Sequence, residues 1–307
     1  MKKIYILFCL LGFGLGLQAQ QDSHYSQYMF NHYAINPAYA GSWNYLTTNL
    51  LYRKQWVNIQ DAPTTQSFTL HAPSRNQRHG FGFSFYNDKI GVTRSTMLNL
   101  GYAYRIPLGE NANLSFGLQG TVENINNRFS SVTTGSDIVS GVVDPTFSQD
   151  LNVWLPNVGA GALLHTRHFY LSLSAPDLLE NEIGDNTTAN TEVRHFFAST
   201  GFLIGKEEAK VKFKPSLLLK YQPNSPVGLD LNAQFLFVDK VWVGASYRLE
   251  DAVVGMFQWQ VAPWFRLGYA YDYTISELST ATSGSHEFLL GFDLNFKKLG
   301  MVSPRWF

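Results

Sequence analysis

Four histidines, His165, His168, His195 and His286, are the side chains of this chain best suited to acid–base chemistry. A hydrolase built on one of them would need a serine nucleophile beside the histidine, and an acid or amide to orient the imidazole. No diagnostic serine motif lies near any of the four in the sequence. We therefore expect no catalytic residue and no enzymatic activity.

A metal site is the other chemistry that the histidines suggest. His165 and His168 are separated by two residues, a spacing that could place both imidazoles across a tight hairpin. No third ligand lies close in the sequence, and Arg167 between them would repel a cation. The three aspartates within residues 137–150 lack the dense alternation of a calcium-binding loop. The sequence predicts neither a bound metal nor a cofactor.

The first 19 residues predict an exported protein. Two lysines precede an apolar run, Ile4–Leu17, and Ala19 ends a small-residue cleavage site, which together form a secretory signal peptide. Cys9, the single cysteine, lies inside this peptide, so the mature chain would contain no disulfide and no thiolate ligand. After Ala19 no apolar stretch is long enough for a transmembrane helix.

Alternation of apolar and polar residues is the dominant pattern of the mature chain. In His286–Phe296 every second residue from Phe288 onward is large and apolar, and the pattern recurs at the length of a tilted transmembrane strand, roughly 9–11 residues. Aromatic residues make up 15% of the chain and charged residues only 15%, as suits a wall that faces lipid. A net charge of zero argues against nucleic acid as a partner. We predict an all-β, antiparallel outer-membrane β-barrel.

About fourteen strands fit this alternation. We place the signal peptide at 1–19, an N-terminal segment at 20–44, the barrel at 45–296 and a tail at 297–307. The predicted strands are Tyr45–Trp56, Thr65–His71, His79–Asn87, Ser95–Ile106, Ala112–Ile125, Asn157–His165, His168–Ala175, His195–Gly205, Ala209–Tyr221, Val227–Val238, Val241–Leu249, Ala252–Val261, Trp264–Tyr273 and His286–Phe296. Pro215 cannot donate to a ladder, so we expect a bulge or a strand end there.

Loop lengths predict the orientation of the barrel. Connections after even-numbered strands are mostly tight, whereas those after odd-numbered strands include Asn126–Pro156, Pro176–Arg194 and Thr274–Ser285. Outer-membrane barrels have short periplasmic turns and long outer loops, so both termini are expected in the periplasm. Long loops are usually functional or disordered, and we take Asn126–Pro156 as the candidate partner-binding loop. Its candidate contact residues are Phe129, Phe147, Leu151 and Trp154.

The stretch before the first strand, Gln21–Ser42, is rich in aromatic and amide residues but lacks alternation. It predicts either a partial plug in the barrel mouth or a docking segment for a periplasmic partner. Glycines inside the predicted strands, such as Gly161 and Gly268, have two interpretations. Relief of crowding or strand bending is the favoured one, and close approach of a plug or another chain to the wall is the alternative.

Two motifs in this stretch, Tyr25–Asn31 and Ile35–Ser42, resemble the opening of the PorP/SprF family of the Bacteroidetes outer membrane and its type IX secretion system. Tyr52–Trp56 and Asn87–Gly91 are similar to later motifs of the family, and Ser303–Phe307 is similar to its C-terminal tail. The resemblance covers essentially the whole mature chain. The residues of the N-terminal motif are Gln27, Tyr28, Met29, Asn31, Asn36, Pro37, Tyr39 and Gly41.

The resemblance implies a non-enzymatic outer-membrane component of type IX secretion that binds a dedicated partner, such as a gliding adhesin, through the partner's C-terminal domain. Binding would support secretion or surface anchoring of that partner. Contact with the secretion machinery or with a peptidoglycan-linked periplasmic protein is also implied. The alternative is a passive channel for small solutes, because the barrel encloses a lumen whose charges could set selectivity. The predicted lumenal charges are Lys212, Lys214, Lys220, Arg248, Asp230 and Glu287.

Overall fold

The computed structural model describes residues 25–131, 150–183 and 190–294. In chain order the strands are β1 (Leu46–Lys54), β2 (Thr64–Pro73), β3 (His79–Ile90), β4 (Thr93–Pro107), β5 (Ala112–Asn127), β6 (Leu151–Thr166), β7 (Phe169–Ala175), β8 (Glu182–Ile183), β9 (Asn190–Thr191), β10 (Phe196–Phe202), β11 (Val211–Tyr221), β12 (Gly228–Phe237), β13 (Val241–Arg248), β14 (Ala252–Ala262), β15 (Phe265–Thr274) and β16 (Ser285–Leu294). Within the described ranges, 14 strands close a barrel, and β8 and β9 form a separate hairpin. No helix in these ranges is long and apolar enough to span a membrane.

Closure of the barrel comes from the pairing of the first strand with the last. β1 pairs with β16 from Leu46 opposite Leu294 to Lys54 opposite His286. The other barrel strands pair with their neighbours along the chain, and β7 pairs with β10 across the β8–β9 hairpin. A closed sheet leaves no unpaired edge, which matters because lipid offers no hydrogen bonds to the backbone. The predicted antiparallel barrel is confirmed.

Alternation along each strand separates a lumenal face from an outer face. On β16, Phe288 and Leu290 are exposed on the outside, whereas Glu287 and Leu289 are fully buried on the inside. A lysine on the lipid side at mid-membrane would cost about 2–4 kcal/mol, so charged side chains in the middle of the wall belong on the lumenal face. The apolar outer rows are therefore the surface that faces lipid.

The two ends of the barrel differ in the length of their connections. The connections that follow β5, β7 and β15 are the longest, at 128–150, 176–195 and 275–284, and we call this the long-loop end. At the opposite, short-loop end the connections shrink to two residues, as at 167–168 and 263–264. β1 begins and β16 ends at the short-loop end, as the alternation of loop lengths predicts.

The sixth barrel strand is longer than the sequence pattern predicts. β6 begins at Leu151 rather than at Asn157, because Leu151 pairs with Asn127 and Trp154 pairs with Asn124 on β5. Leu151 and Trp154 are thus strand residues, and the connection that we expected at Asn126–Pro156 is confined to 128–150. The extension was missed because Pro156 and the surrounding asparagines interrupt the apolar period.

Pro215 produces neither of the two features that we expected in its own strand, a bulge or a strand end. It lies in the middle of β11 and pairs with Ala233 on β12 in an unbroken register. The backbone of Phe213 exchanges hydrogen bonds with Ile204, so the nitrogen of Pro215, two residues along, also faces β10. Because that nitrogen carries no hydrogen, β10 ends at Phe202. The interruption falls on the neighbouring strand.

Candidate functional site

Residues 25–42 lie inside the barrel and form the candidate functional site, which we call the lumenal segment. Three short 3-10 helices follow one another in it, at Tyr28–Phe30, His32–Ala34 and Pro37–Tyr39. Most of its side chains are buried, and they contact inward-facing residues of the barrel strands. The aromatic and amide residues that lack strand alternation therefore fill the lumen.

The lumenal segment runs from the long-loop half of the barrel to the short-loop end. The hydroxyl of Ser26 donates to Asp272 at 2.8 Å, and Asp272 lies two residues before β15 ends at the long-loop end. Gly41 lies at the other end, where a Cβ would come within 2.9 Å of the Pro73 backbone. Gly41 has a φ of +62°, a left-handed conformation that favours glycine, and it turns the chain toward β1.

Asn36 and Pro37 shape the centre of the lumenal segment. Oδ1 of Asn36 accepts a hydrogen bond from the Ala38 N–H at 2.8 Å, and Pro37 takes the first helical position, where a missing N–H is harmless. The amide nitrogen of Asn36 donates to Ser172 Oγ at 2.7 Å and to the Leu173 carbonyl at 3.1 Å. One side chain thus caps a helix and attaches the segment to β7.

A buried ion cluster of Arg53, Asp272 and Glu287 holds the start of the segment, and we call it the Arg53 cluster. The guanidinium of Arg53 lies 2.7 Å from Asp272 and 3.1 Å from Glu287, and all three side chains are at most 3% exposed. Glu287 accepts hydrogen bonds from the backbone N–H groups of Ser26 and Gln27 at 2.8 and 2.7 Å. Arg53, Asp272 and Glu287 lie on β1, β15 and β16, respectively. The cluster therefore also spans the seam where β1 pairs with β16.

Arg248 connects this cluster to the long-loop end. Its guanidinium lies 3.0 Å from Asp251, which belongs to the turn between β13 and β14. The same guanidinium donates a hydrogen bond to Ser26 Oγ at 3.2 Å. It also lies 3.6 Å from the carboxylate of Asp230, and that carboxylate lies 2.9 Å from the Lys220 amine. One side chain therefore links a turn at the long-loop end to the lumenal segment.

Inward-facing glycines leave the space in which the segment lies. A Cβ on Gly161 would lie 2.0 Å from Asn36 Oδ1, one on Gly117 would lie 2.2 Å from the Ala38 nitrogen, and one on Gly268 would lie 2.3 Å from Gln27 Oε1. Further glycines approached in this way are Gly80, Gly82 and Gly101. At Gly161 and Gly268 the lumenal segment approaches the wall closely, as the alternative interpretation expects.

His32 is the buried imidazole at the centre of the segment. Its ring stacks on Tyr39 with centroids 4.6 Å apart and lies 5.2 Å from the ring of Tyr170. Neither ring nitrogen has a hydrogen-bond partner among the described residues. An imidazolium without a hydrogen-bond partner is costly to bury, and the nearby positive charge of Lys214 adds to that cost. The docked segment therefore carries a neutral imidazole.

Acidification is expected to loosen the lumenal segment. A released His32 would titrate near its ordinary pKa of about 6.5, so the released state binds more protons than the docked state. The contribution of His32 to docking should be complete above about pH 6.5 and should be lost as the pH falls further. His32→Phe keeps a ring for stacking but cannot titrate, so it should reduce this loss. Proteolysis of the segment between about pH 7.5 and 5 tests this, and equal acid sensitivity of both barrels would contradict it.

The structure places all residues of the N-terminal motif in the lumenal segment. Oη of Tyr28 accepts a hydrogen bond from Asn232 at 2.6 Å, and Oδ1 of Asn31 accepts one from Thr69 at 3.1 Å. The motif residues, all buried, are Gln27, Tyr28, Met29, Asn31, Asn36, Pro37, Tyr39 and Gly41.

The charged residues that we expected in the lumen lie on the inner face of the barrel as well: Lys212, Lys214, Lys220, Arg248, Asp230 and Glu287. Sequence reasoning missed the role of Arg53, although its inward position in the period of two was a usable signal.

The candidate partner-binding residues lie apart from the lumenal segment. Phe129 belongs to a single 3-10 turn after β5, and Leu151 and Trp154 lie on β6. Trp154 is 66% exposed on the outer face. Phe147 lies outside the described ranges, as do the predicted signal peptide and the tail 297–307.

The histidine pair considered for a metal does not gather further ligands. His165 lies near the end of β6, and His168 lies in the turn before β7. Within the described ranges, no group of three or more His, Cys, Asp or Glu side chains is placed to hold a metal ion.

Solved outer-membrane proteins share this fold at very low sequence identity. The toluene transporter TbuX of Ralstonia pickettii matches with a TM-score of 0.50 and 9% identity, over 85% of this chain and 92% of TbuX. The monoaromatic hydrocarbon channel CymD matches with a TM-score of 0.50 and 11% identity, over 91% of this chain and 94% of CymD. At this identity the similarity establishes the barrel fold alone. No curated protein sequence matches the chain.

The match to a protein family is the finding that assigns the chain. The family described as type IX secretion system membrane protein PorP/SprF matches residues 17–292. The match spans the lumenal segment and nearly all of the barrel, so it rests on the site as well as on the fold. The chain thus belongs to the PorP/SprF family and is an outer-membrane component of the type IX secretion system, associated with its machinery.

Proposed function

We propose that this barrel supports the secretion or surface anchoring of a dedicated partner protein by binding it, and that it does so without catalysing a reaction. The buried lumenal segment carries this proposal. It extends from Ser26 at the Arg53 cluster to Gly41 at the short-loop end. A segment that occupies the lumen along this length obstructs the passage of a polypeptide and the free flow of solute. Recognition at the ends of the barrel is the function that remains.

The long-loop end is the surface that we assign to the partner. We place it outside the cell and the short-loop end in the periplasm, because long outer loops and short periplasmic turns are the rule in outer-membrane barrels. On this orientation the partner, presented through its C-terminal domain, meets the loops at the cell surface. The short-loop end then faces the periplasmic secretion machinery or a peptidoglycan-linked protein.

The loops at the long-loop end are tied together before any partner arrives. The Val57 N–H donates to the Gly284 carbonyl at 2.8 Å, and the Gly91 N–H donates to the Asp61 carbonyl at 2.9 Å. Asn58 and Asp61 hold left-handed backbone conformations with φ of 78° and 55°, which these two residue types tolerate in tight turns. A pre-ordered surface loses less conformational entropy on binding, which favours recognition here.

Trp154 is our candidate anchor for the partner. It projects from β6 opposite Asn124 and two residues from Asn152, and these two asparagine side chains hydrogen bond to each other at 2.7 Å. A tryptophan that is 66% exposed in such polar surroundings has apolar surface to bury against a protein. Exposed aromatic residues of this kind dominate the binding energy of many interfaces.

Trp154→Ser is expected to weaken partner binding by at least about tenfold, as loss of an aromatic anchor typically does. The barrel would be purified from native membranes in mild detergent, and the co-purifying secreted protein would be quantified. Trp264→Ser is the matched control, because Trp264 is 53% exposed but lies in a turn at the short-loop end. Equal recovery of the partner with both variants would remove Trp154 as the anchor. A barrel that emerges alone and conducts ions would favour the channel instead.

A further inference from the structure

A row of basic side chains lies on the outer face of the barrel at the long-loop end. Lys89 on β3 pairs with Arg94 on β4 and, on its other side, with Thr64 on β2. Thr64 in turn pairs with Lys54 on β1. Lys89 points outward, because it is five positions from Ser84, which is buried on the inner face, and side chains alternate along a strand. Residues that pair directly share a face, so these four residues form one outward row, which we call the basic row.

Two cations of the basic row lie side by side without a compensating carboxylate. Lys89 and Arg94 are exposed, and neither forms an ion pair with a described residue. The neighbouring carboxylates of Asp88 and Glu123 face inward, where they accept hydrogen bonds from buried or half-buried hydroxyl groups. Residues directly opposite each other in a sheet have Cβ atoms about 4.5–5.5 Å apart, and like charges there are destabilising. An anion held between the two side chains would remove this repulsion.

The basic row lies just beyond the apolar wall. Arg94 is four residues from Leu98, which is an exposed residue of the apolar outer face. Four residues correspond to roughly 14 Å of strand and about 10 Å along the axis of a barrel whose strands tilt by about 40°. The headgroup layer on each side of the hydrocarbon core is roughly 5–8 Å thick, and long basic side chains can reach back toward it. The charges of the row are therefore at the level of the lipid headgroups.

The basic row is confined to one side of the barrel. On β10–β15 the outward residues nearest the long-loop end are uncharged: Phe196, Tyr221, Leu229, Tyr247, Val253 and Tyr273. A general attraction to anionic headgroups would be served by cations around the whole circumference. The placement of the cations on β1, β3 and β4 favours a defined binding site instead.

Uncharged polar side chains separate the basic row from the apolar wall. Gln66 pairs with Asn87, and Asn87 pairs with Thr96, so these three outward residues lie one step nearer to the membrane than the cations. Amide and hydroxyl groups can hydrogen bond to the hydroxyls of a sugar headgroup. The next outward pair, Phe85 opposite Leu98, offers an apolar surface to acyl chains. The order of the rows matches that of an amphiphile with a phosphorylated sugar headgroup.

We infer that the basic row binds a phosphorylated glycolipid of the outer leaflet, with a phosphate between Lys89 and Arg94 and the acyl chains against Phe85 and Leu98. The guanidinium of Arg94 can donate two parallel hydrogen bonds to a phosphate, and the ammonium of Lys89 adds a point charge. This inference goes beyond the proposed function and takes from it only the orientation, which places the long-loop end in the outer leaflet.

The test is native mass spectrometry of the purified barrel in neutral detergent, with diphosphorylated lipid A added as the probe. The combined change Lys89→Gln and Arg94→Gln should lower the apparent affinity at least about tenfold, because two charges that favour anionic lipid are lost. The matched control is Lys206→Gln with Lys210→Gln, which removes two exposed cations at the short-loop end and should leave the affinity unchanged. The exchange Lys89→Arg with Arg94→Lys keeps both charges and should retain binding. Heat-modifiable migration in gels confirms that each barrel is folded.

Three results would overturn the inference. The first is an equal affinity of the neutralised row and the control, and the second is equal binding of lipid A from which both phosphates have been removed. The third is displacement of lipid A by inorganic phosphate, which would mean that the row holds a free anion. Tighter binding of phosphatidylglycerol than of lipid A would overturn the assignment to the outer leaflet. The partner protein is absent from this measurement, so its outcome is independent of whether the barrel binds a partner.

Discussion

An Arg53→Met barrel is expected to pass ions across a planar lipid bilayer under conditions in which the unchanged barrel is silent. Arg53 pairs with Asp272 and Glu287, and its removal leaves Glu287 without a cation and Asp272 with only the more distant Arg248, at 3.5 Å. Removing one partner of a buried ion pair typically costs about 3–5 kcal/mol. Water can solvate these carboxylates once the lumenal segment leaves, so the loss shifts the balance from the docked to the released segment.

Arg167→Met is the matched control for this experiment. Arg167 also pairs with a carboxylate, Glu207 at 3.2 Å, but the two side chains are 56% and 49% exposed at the short-loop end. Exposed pairs contribute about 1 kcal/mol or less, so this variant should stay silent. An Arg53→Met barrel as silent as the control would show that the Arg53 cluster does not hold the segment in place. An unchanged barrel that already conducts would show that the segment does not seal the lumen.

The barrel wall is readable from the sequence because lipid imposes a period of two on every strand that crosses it. The last strand, predicted at His286–Phe296, forms at Ser285–Leu294, and the strand predicted at Ala209–Tyr221 forms at Val211–Tyr221. The prediction fails where the wall leaves the membrane. There β6 continues to Leu151 without an apolar outer row, so alternation gives no signal.

The contacts that dock the lumenal segment could not be predicted from the sequence in the same way. Arg53 and Asp272 are 219 positions apart, and Ser26 and Glu287 are 261 positions apart. The period of two places each strand charge on the inner face. It does not say which charges meet at one height of the barrel, because that depends on the register of every intervening strand.

The glycines show the same limit. The period of two assigns Gly117 to the inner face of β5 and Gly120 to its outer face, but both are single glycines within a strand. Only the position of Ala38 shows that the space beside Gly117 is taken, and that the space beside Gly120 is open. The period of two therefore separates inward glycines from those that face lipid, but it does not show which inward glycine accommodates the lumenal segment.

A Gly117→Val barrel is expected to expose the lumenal segment, whereas a Gly120→Val barrel is not. A Cβ on Gly117 would lie 2.2 Å from the Ala38 nitrogen and 2.4 Å from the Pro37 carbonyl carbon, where backbone atoms cannot yield by a rotamer change. A Cβ on Gly120 meets nothing within 4 Å. Both variants replace a glycine of β5 by valine, which favours strands, so the change in strand propensity is the same. They differ only in that one valine points into the lumen and the other points outward.

The reporter for this prediction is a cysteine at Met29, which is 3% exposed in the lumenal segment. The mature chain has no other cysteine, since Cys9 lies in the predicted signal peptide, so a membrane-impermeant maleimide would label this position alone. Labelling should be slow in the Met29→Cys barrel and in the barrel that combines Met29→Cys with Gly120→Val. It should be at least about tenfold faster in the barrel that combines Met29→Cys with Gly117→Val, because the thiol then reaches water.

Equal labelling of the two glycine variants, with both barrels shown to be folded by gel migration, would mean that the segment adapts to the valine and stays docked. The backbone overlap at Ala38 argues against that adaptation, since relief of a 2.2 Å approach requires the third 3-10 helix, and with it the Asn36 attachment to β7, to move off the wall.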